Sequence, residues 1–142
     1  MSYTRVLLPY KDDEGNFHGE TLRAKKVGSY YRISSLPFEA TNIALNDLID
    51  IRKIDGKTYF QKMIKNSGHS LIQMIVYKER EIRKIGRELE ELGCTWKRSD
   101  IKNLIAFDIP PHIPYAPIRK WLDQGEKEDR WGYKEACLSH NN

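Results

Sequence analysis

Between His69 and Leu138 the apolar residues run first as a short continuous block, then as a helical stripe, then as two short extended runs about a turn, then as a second stripe and a last extended run. That order is strand, helix, strand, strand, helix, strand, and few layer arrangements bury the apolar faces of all of them. It is the order of a ferredoxin-like βαββαβ unit. Such a scaffold hosts unrelated activities, so function has to be argued from a site.

The pieces are individually legible. Ser70 to Tyr77 is short and almost wholly apolar, as expected of a central strand covered on both faces. Lys78 to Leu92 follows as a helix whose Ile82, Ile85, Leu89 and Leu92 share a face, with Gly93 just beyond as a natural terminator. Gly86 beside that stripe allows close approach to the sheet, while Glu90 and Glu91 sit unfavourably at the negative end of the helix dipole. Thr95 to Arg98 reads as an edge strand, Ser99 to Lys102 as its turn, and Asn103 to Ile109 as the return. Pro114 and Pro117 fit the first turn of a second helix that buries Ile118, Trp121 and Leu122, and Arg130 to Leu138 closes the unit.

The first half reads as all β. Thr4 to Tyr10 is a strand, Lys11 to Gly19 an exposed loop, and Thr21 to Val27 turns at Gly28-Ser29 into Tyr30 to Ser34. Ala40 to Leu45 is ambiguous; Leu48 to Arg52 then pairs through Asp55-Gly56 with Thr58 to Ile64, since Asp-Gly favours a type I′ turn. The fold expected is α+β, an N-terminal small β-barrel or curled antiparallel sheet (1–68) packed on a C-terminal ferredoxin-like unit (69–142). Asn66-Ser67-Gly68 is the joint, too short to separate two free domains.

With 142 residues, 39% hydrophobic and 31% charged in mixed sign, the chain has material for a core and lacks the lopsided charge of disorder. The net charge of +4 is spread over isolated basic pairs such as Lys25-Lys26 and Lys97-Arg98, the usual dress of a solvated face. No run approaches the ~18 apolar residues of a membrane helix, and no leader pattern opens the chain, so a soluble cytoplasmic protein is expected. Cys94 and Cys137 show no ligand spacing and fall on opposite edges of the expected sheet, so both should be free, buried thiols.

Chemistry is sparsely signalled. His18, His69, His112 and His140 stand apart at no metal-ligand spacing, and no glycine motif cradles a phosphate, so neither metal nor cofactor is expected. Ser67-Gly68-His69-Ser70 at the joint is the sharpest cluster: a histidine between serines suits acid–base or nucleophilic work, or simply a hydroxyl-capped loop. Asp100 belongs to a turn. Asp108, between Phe107 and Ile109, points to the opposite face from them and is expected to cap the loop before the second helix. Neither strand that would carry the aromatic motifs of an RNA-recognition domain does so. Tyr30, Tyr31, Tyr115, Trp121 and Trp131 are the aromatics that suit a protein interface, though Trp121 is expected in the core.

Val6-Leu7-Leu8-Pro9, Leu36-Pro37-Phe38, Ala44-Leu45-Asn46-Asp47, the Ser67 to Ser70 joint, Leu92-Gly93-Cys94-Thr95-Trp96, Asp108-Ile109-Pro110-Pro111, Tyr115-Ala116-Pro117 and Glu135-Ala136-Cys137 together resemble the bacterial domain-of-unknown-function family forty-two sixty-five. Asn46 stands where that family often has Gly. The resemblance implies a stand-alone bacterial protein and brings no activity or catalytic residues with it.

The expectation that follows is a non-enzymatic protein-binding protein, for example an immunity protein occluding an acidic toxin domain. A second expectation is a small-ligand binder or enzyme with its site at the seam near His69, the third nucleic-acid binding through the sheet face. The binding candidates are Ser67, His69, Ser70, Asp100 and Tyr115.

Overall fold

The computed structural model describes residues 3–140. Five strands, β1 (Thr4–Lys11), β2 (Phe17–Val27), β3 (Tyr30–Ile33), β4 (Leu48–Ile54) and β5 (Lys57–Lys65), pair antiparallel in sequence order and close into a barrel. Closure is made by β1 returning to β5 in parallel at Leu7 and Tyr59. Alternation aims Val6, Leu8, Leu22, Ala24, Ile33 and Ile49 inward, where Ala40 and Ile43 from the β3–β4 connection complete the core.

Cross-strand pairing overrides one local expectation. The loop read from Lys11 to Gly19 shrinks to Asp12–Asn16, because Phe17 to Gly19 extend β2 against Lys11, Tyr10 and Pro9. His18 stacks on Tyr10 across that extension, with ring centroids 5.4 Å apart. Asp55 and Gly56 both take positive φ, 48° and 80°, in the tight turn expected between β4 and β5.

The second half comprises β6 (Ser70–Val76), a 3₁₀ turn at Glu79–Glu81, α1 (Ile82–Glu91), β7 (Thr95–Arg98), β8 (Leu104–Ile109), α2 (Tyr115–Lys127) and β9 (Trp131–Cys137). The sheet is antiparallel in the order β7-β8-β6-β9. Ile72, Met74 and Val76 of β6 and Ile105, Phe107 and Ile109 of β8 face α1 and α2 and form the larger core with Ile85, Leu89, Ile118, Leu122 and Trp131. Trp121 is half-buried against that core, its indole donating to Glu88 Oε1 at 3.1 Å. Both helices pass close to tryptophans through glycine: a Cβ on Gly86 would lie 2.0 Å from the Trp96 ring, and one on Gly125 1.9 Å from that of Trp131.

The other sheet face meets the barrel. Leu71, Ala106 and Ala136 pack against Leu36 and Ala44 of the β3–β4 connection, with Phe38 and Leu45 at the rim. Gln73, buried on this face, donates to the carbonyls of Ala40 (2.8 Å) and Pro37 (3.3 Å), and Asn42 N–H donates to Ala136 O (2.8 Å). Those bonds fill the polar needs of a connection that has no regular structure of its own. Covered in this way, the face offers no open platform for stacking bases over Leu71, Gln73 and Ala106.

Candidate functional site

The site is built where the barrel's last strand hands over to β6. Asp47, 1% exposed, ends the β3–β4 connection and accepts from Ala44 N–H through one carboxylate oxygen and from Ser67 N–H through the other, both at 2.8 Å. The Ser67 hydroxyl donates to Leu45 O (2.7 Å) and accepts from His69 N–H (3.2 Å). The joint is therefore stapled to the 44–47 segment, and the His69 backbone is held in place.

His69 then meets Asp108 from β8. Its Nδ1–H donates to Asp108 Oδ1 at 2.8 Å, leaving the lone pair on Nε2, which Asn46 Nδ2 approaches to 3.3 Å. The Asp108 side chain is 3% exposed and that of His69 15%. Burial pushes the Asp108 carboxyl above the ordinary carboxylate range, and the hydrogen bond and charge of His69 only partly pull it back. A carboxylate behind one ring nitrogen fixes tautomer and orientation and leaves the other, which faces the Asn46 amide, as the ring's basic position. Asp108 does not cap the loop before α2; alternation on β8 turns it to the barrel side, where the joint places His69.

The exposed edge of His69 lines a cleft of about 390 Å³ together with Val27, Arg32, Asn46, Leu48, Lys65, Asn66 and Ser67. Two other grooves run along the seam, one of about 440 Å³ under Tyr10, Phe38 and Ile75 and one of about 770 Å³ between Arg23 and Trp96. Neither contains a histidine, so the oriented acid–base pair belongs to the smaller cleft. Among the described residues no three His, Cys, Asp or Glu side chains converge as metal ligands would.

Of the sequence candidates, Ser67 and His69 come together here and the others do not. Ser70 is fully buried and looks away: its hydroxyl accepts from Ser139 and His140 N–H and donates to His140 Nδ1 at 2.5 Å, while His140 Nε2–H donates to Pro110 O at 2.8 Å. Every valence of that pair is used within the fold, so it clasps the chain's end to the sheet and carries no reactive hydroxyl. Asp100 sits exposed on its turn at the Arg23–Trp96 groove. Tyr115, the first residue of α2, is buried, its hydroxyl bonded to Glu135, with burial raising its ionisation above the ordinary tyrosine range. Asn46, Asp47, Arg32, Lys65 and the site role of Asp108 escaped the sequence reading. The signal available for one was local: Asn46 holds φ 69°, where a turn residue was anticipated.

Both thiols are free, Cys94 buried and Cys137 half-buried. No helix of the described residues is long and apolar enough to cross a membrane. The profile of the family described as Domain of unknown function (DUF4265) matches residues 20–133, which takes in the barrel from β2, the joint, Asp108 and both helices. The chain belongs to the DUF4265 family. In fold this DUF4265 protein is similar to a solved structure described as a novel crystal structure of a hypothetical protein from Neisseria gonorrhoeae, at 25% identity, TM-score 0.84 and 99% coverage of each chain. No curated protein matches it.

Proposed function

We propose that this DUF4265 protein is a small-ligand binder whose site is the cleft at the joint, with His69 exchanging a proton with the bound ligand. The observation that supports this is the Asp108–His69 pair: a buried carboxyl fixes the imidazole of a histidine that lines a cleft. The test is an NMR screen of the full chain against a fragment library, reading the His69 ring and the amides of Asn46 and Ser67. Ligands that move all three in wild type and fail to bind His69→Gln support the reading. Hits that ignore His69, or none at millimolar concentration, overturn it.

The strand order β7-β8-β6-β9 with both helices on one face supports a ferredoxin-like assignment for the second half. Two free thiols accord with residence in the reducing bacterial cytoplasm.

A second reading, a protein partner such as a toxin domain, draws on exposed Ile75, Tyr77 and Ile101, the two isoleucines lining the Tyr10–Phe38 groove. Its aromatic support has shrunk, since Trp131 and Tyr115 are buried and Tyr31 packs on the barrel core. Relief of toxicity on co-expression with a neighbouring toxin, abolished by Ile75→Asp, is its test; unchanged relief by that variant moves the contact elsewhere.

A further inference from the structure

The barrel's register places an unusual row of charge beside His69. Lys25 of β2 stands opposite Arg32 of β3, Arg32 opposite Leu48 of β4, and Leu48 opposite Lys65 of β5. Directly paired residues share a face. Ala24, Ile33 and Ile49, the neighbours of these positions, point into the barrel core, so the row lies on the outside: cation, cation, leucine, cation. Like charges directly opposite one another destabilise a sheet, and Lys25 against Arg32 is such a pair. Among the described residues none of Lys25, Arg32 and Lys65 has a carboxylate within ion-pair distance. Asp50, the outward carboxylate of the next row, is paired in register with Lys62 and accepts from Ile51 N–H.

The row ends in the cleft. Arg32 and Lys65 flank Leu48 on its wall, with the Asn46 amide and His69 Nε2 beside them. A break in register between Leu48 and Ile49 bulges β5 just before Lys65, and bulges commonly serve to re-aim a side chain next to a site. The two carboxylates that could neutralise these cations, Asp47 and Asp108, are buried and committed to Ala44, Ser67 and His69. What the cleft presents is positive charge, amide and imidazole, with no exposed acid among its lining residues.

We propose that the ligand of this cleft is a small phosphate monoester, its dianion held by Arg32 and Lys65 with Lys25 adding to the local field, and its ester or hydroxyl oxygen facing His69. This rests on the His69 reading above and specifies its ligand class. Arg32 offers the planar fork that suits a phosphate, and Lys65 a point charge. The cleft volume of about 390 Å³ suits a small molecule better than a polymer.

The test uses the full chain, with phenyl phosphate as probe and phenol as its neutral counterpart, followed by NMR at low salt. Saturable shifts at Arg32, Lys65 and the His69 ring with phenyl phosphate, weaker with phenol and suppressed by salt, are expected. Arg32→Gln and Lys65→Gln, both at exposed positions, should each raise Kd about tenfold. Equal binding of phenol, or no effect of either substitution, overturns the phosphate class while leaving the His69 site standing if its ring still moves. Shifts confined to the cationic row with a silent His69 ring overturn both. A single-stranded oligonucleotide that displaces phenyl phosphate at far lower concentration overturns the small-molecule assignment in favour of a nucleic-acid backbone.

Discussion

His69 and Asp108 are 39 positions apart in the chain and 2.8 Å apart in space, joined across the seam between joint and sheet. Because burial raises the Asp108 carboxyl, the folded state binds that proton more tightly than the unfolded state. Its contribution to stability is therefore least unfavourable at acid pH and grows more unfavourable as pH rises from the unfolded carboxylate value through the raised folded one. Asp108→Asn removes the charge and keeps an acceptor for Nδ1–H. The stability of the variant relative to wild type should increase between pH 3.5 and pH 7, measured by urea denaturation; a difference that does not vary with pH would show that folding leaves the Asp108 ionisation unshifted.

Glu88 behaves oppositely. Burial pushes it up, but the hydrogen bonds from Arg130 Nη2 (2.9 Å) and the Trp121 indole outweigh that and hold it below its ordinary value. The pair joins α1 to the start of β9, and its stabilisation is present above the unfolded value of about 4.5 and lost as pH falls through the folded one. Glu88→Gln should cost about 1–2 kcal/mol at pH 7. The cost should shrink as pH falls below the ordinary carboxylate value, and chemical denaturation at pH 7 and pH 3 measures the decline; a cost equal at both would contradict the lowered ionisation.

The glycines under the tryptophans are sterically required. Alanine at Gly86 would gain ~1 kcal/mol of helix propensity, yet its Cβ would overlap the Trp96 ring, and overpacking of that kind costs about 1–3 kcal/mol or more. A net loss is expected for Gly86→Ala, and a larger one for Gly125→Ala, where the displaced Trp131 is fully buried. Adding Trp96→Leu to Gly86→Ala should recover part of the loss in a double-mutant cycle; no recovery assigns the cost to something other than the ring.

Asp47→Ala leaves the Ala44 and Ser67 amides without their acceptor inside the fold. The expected cost is about 2–4 kcal/mol. Amide exchange at Ser67 and His69 should accelerate more than at Ile105, because the staple holds the joint locally; uniform acceleration would point to a global role.

Burial pushes the Cys94 thiol up to about 12, with nearby Asp108 adding to the shift. Native Cys94 should stay unreactive to a thiol reagent at pH 8 until the chain unfolds, and fast labelling without unfolding would contradict the packing.

Period and punctuation carried the sequence reading a long way. Ile82, Ile85 and Leu89 announce α1, Asp55-Gly56 the β4–β5 turn, and the apolar block from Ser70 the strand β6. Glu90, an apparent conflict with the helix dipole, accepts from the Trp96 indole on the following strand at 2.8 Å. The site was half legible. Ser67 and His69 stand out as polar residues at a joint, but Asp108 reads as a loop cap facing away from Phe107, since alternation names a face and not what lies across it. Arg32 and Lys65 looked like ordinary surface charge because strand pairing, which no local window contains, is what brings them to one row. The segment from Ala40 to Leu45 is ambiguous in sequence for a related reason: the order of the connection it belongs to comes from Gln73, Glu20 and the sheet.

That borrowed order has a consequence for cutting the chain. The connection belongs by sequence to the barrel and by contact to the sheet, with Glu20 receiving the Phe38, Glu39 and Ala40 amides on one side and Gln73 reaching the Ala40 carbonyl on the other. Two polypeptides split at Gly68 would each expose what the other covers, and would regain the fold by complementation rather than as independent modules.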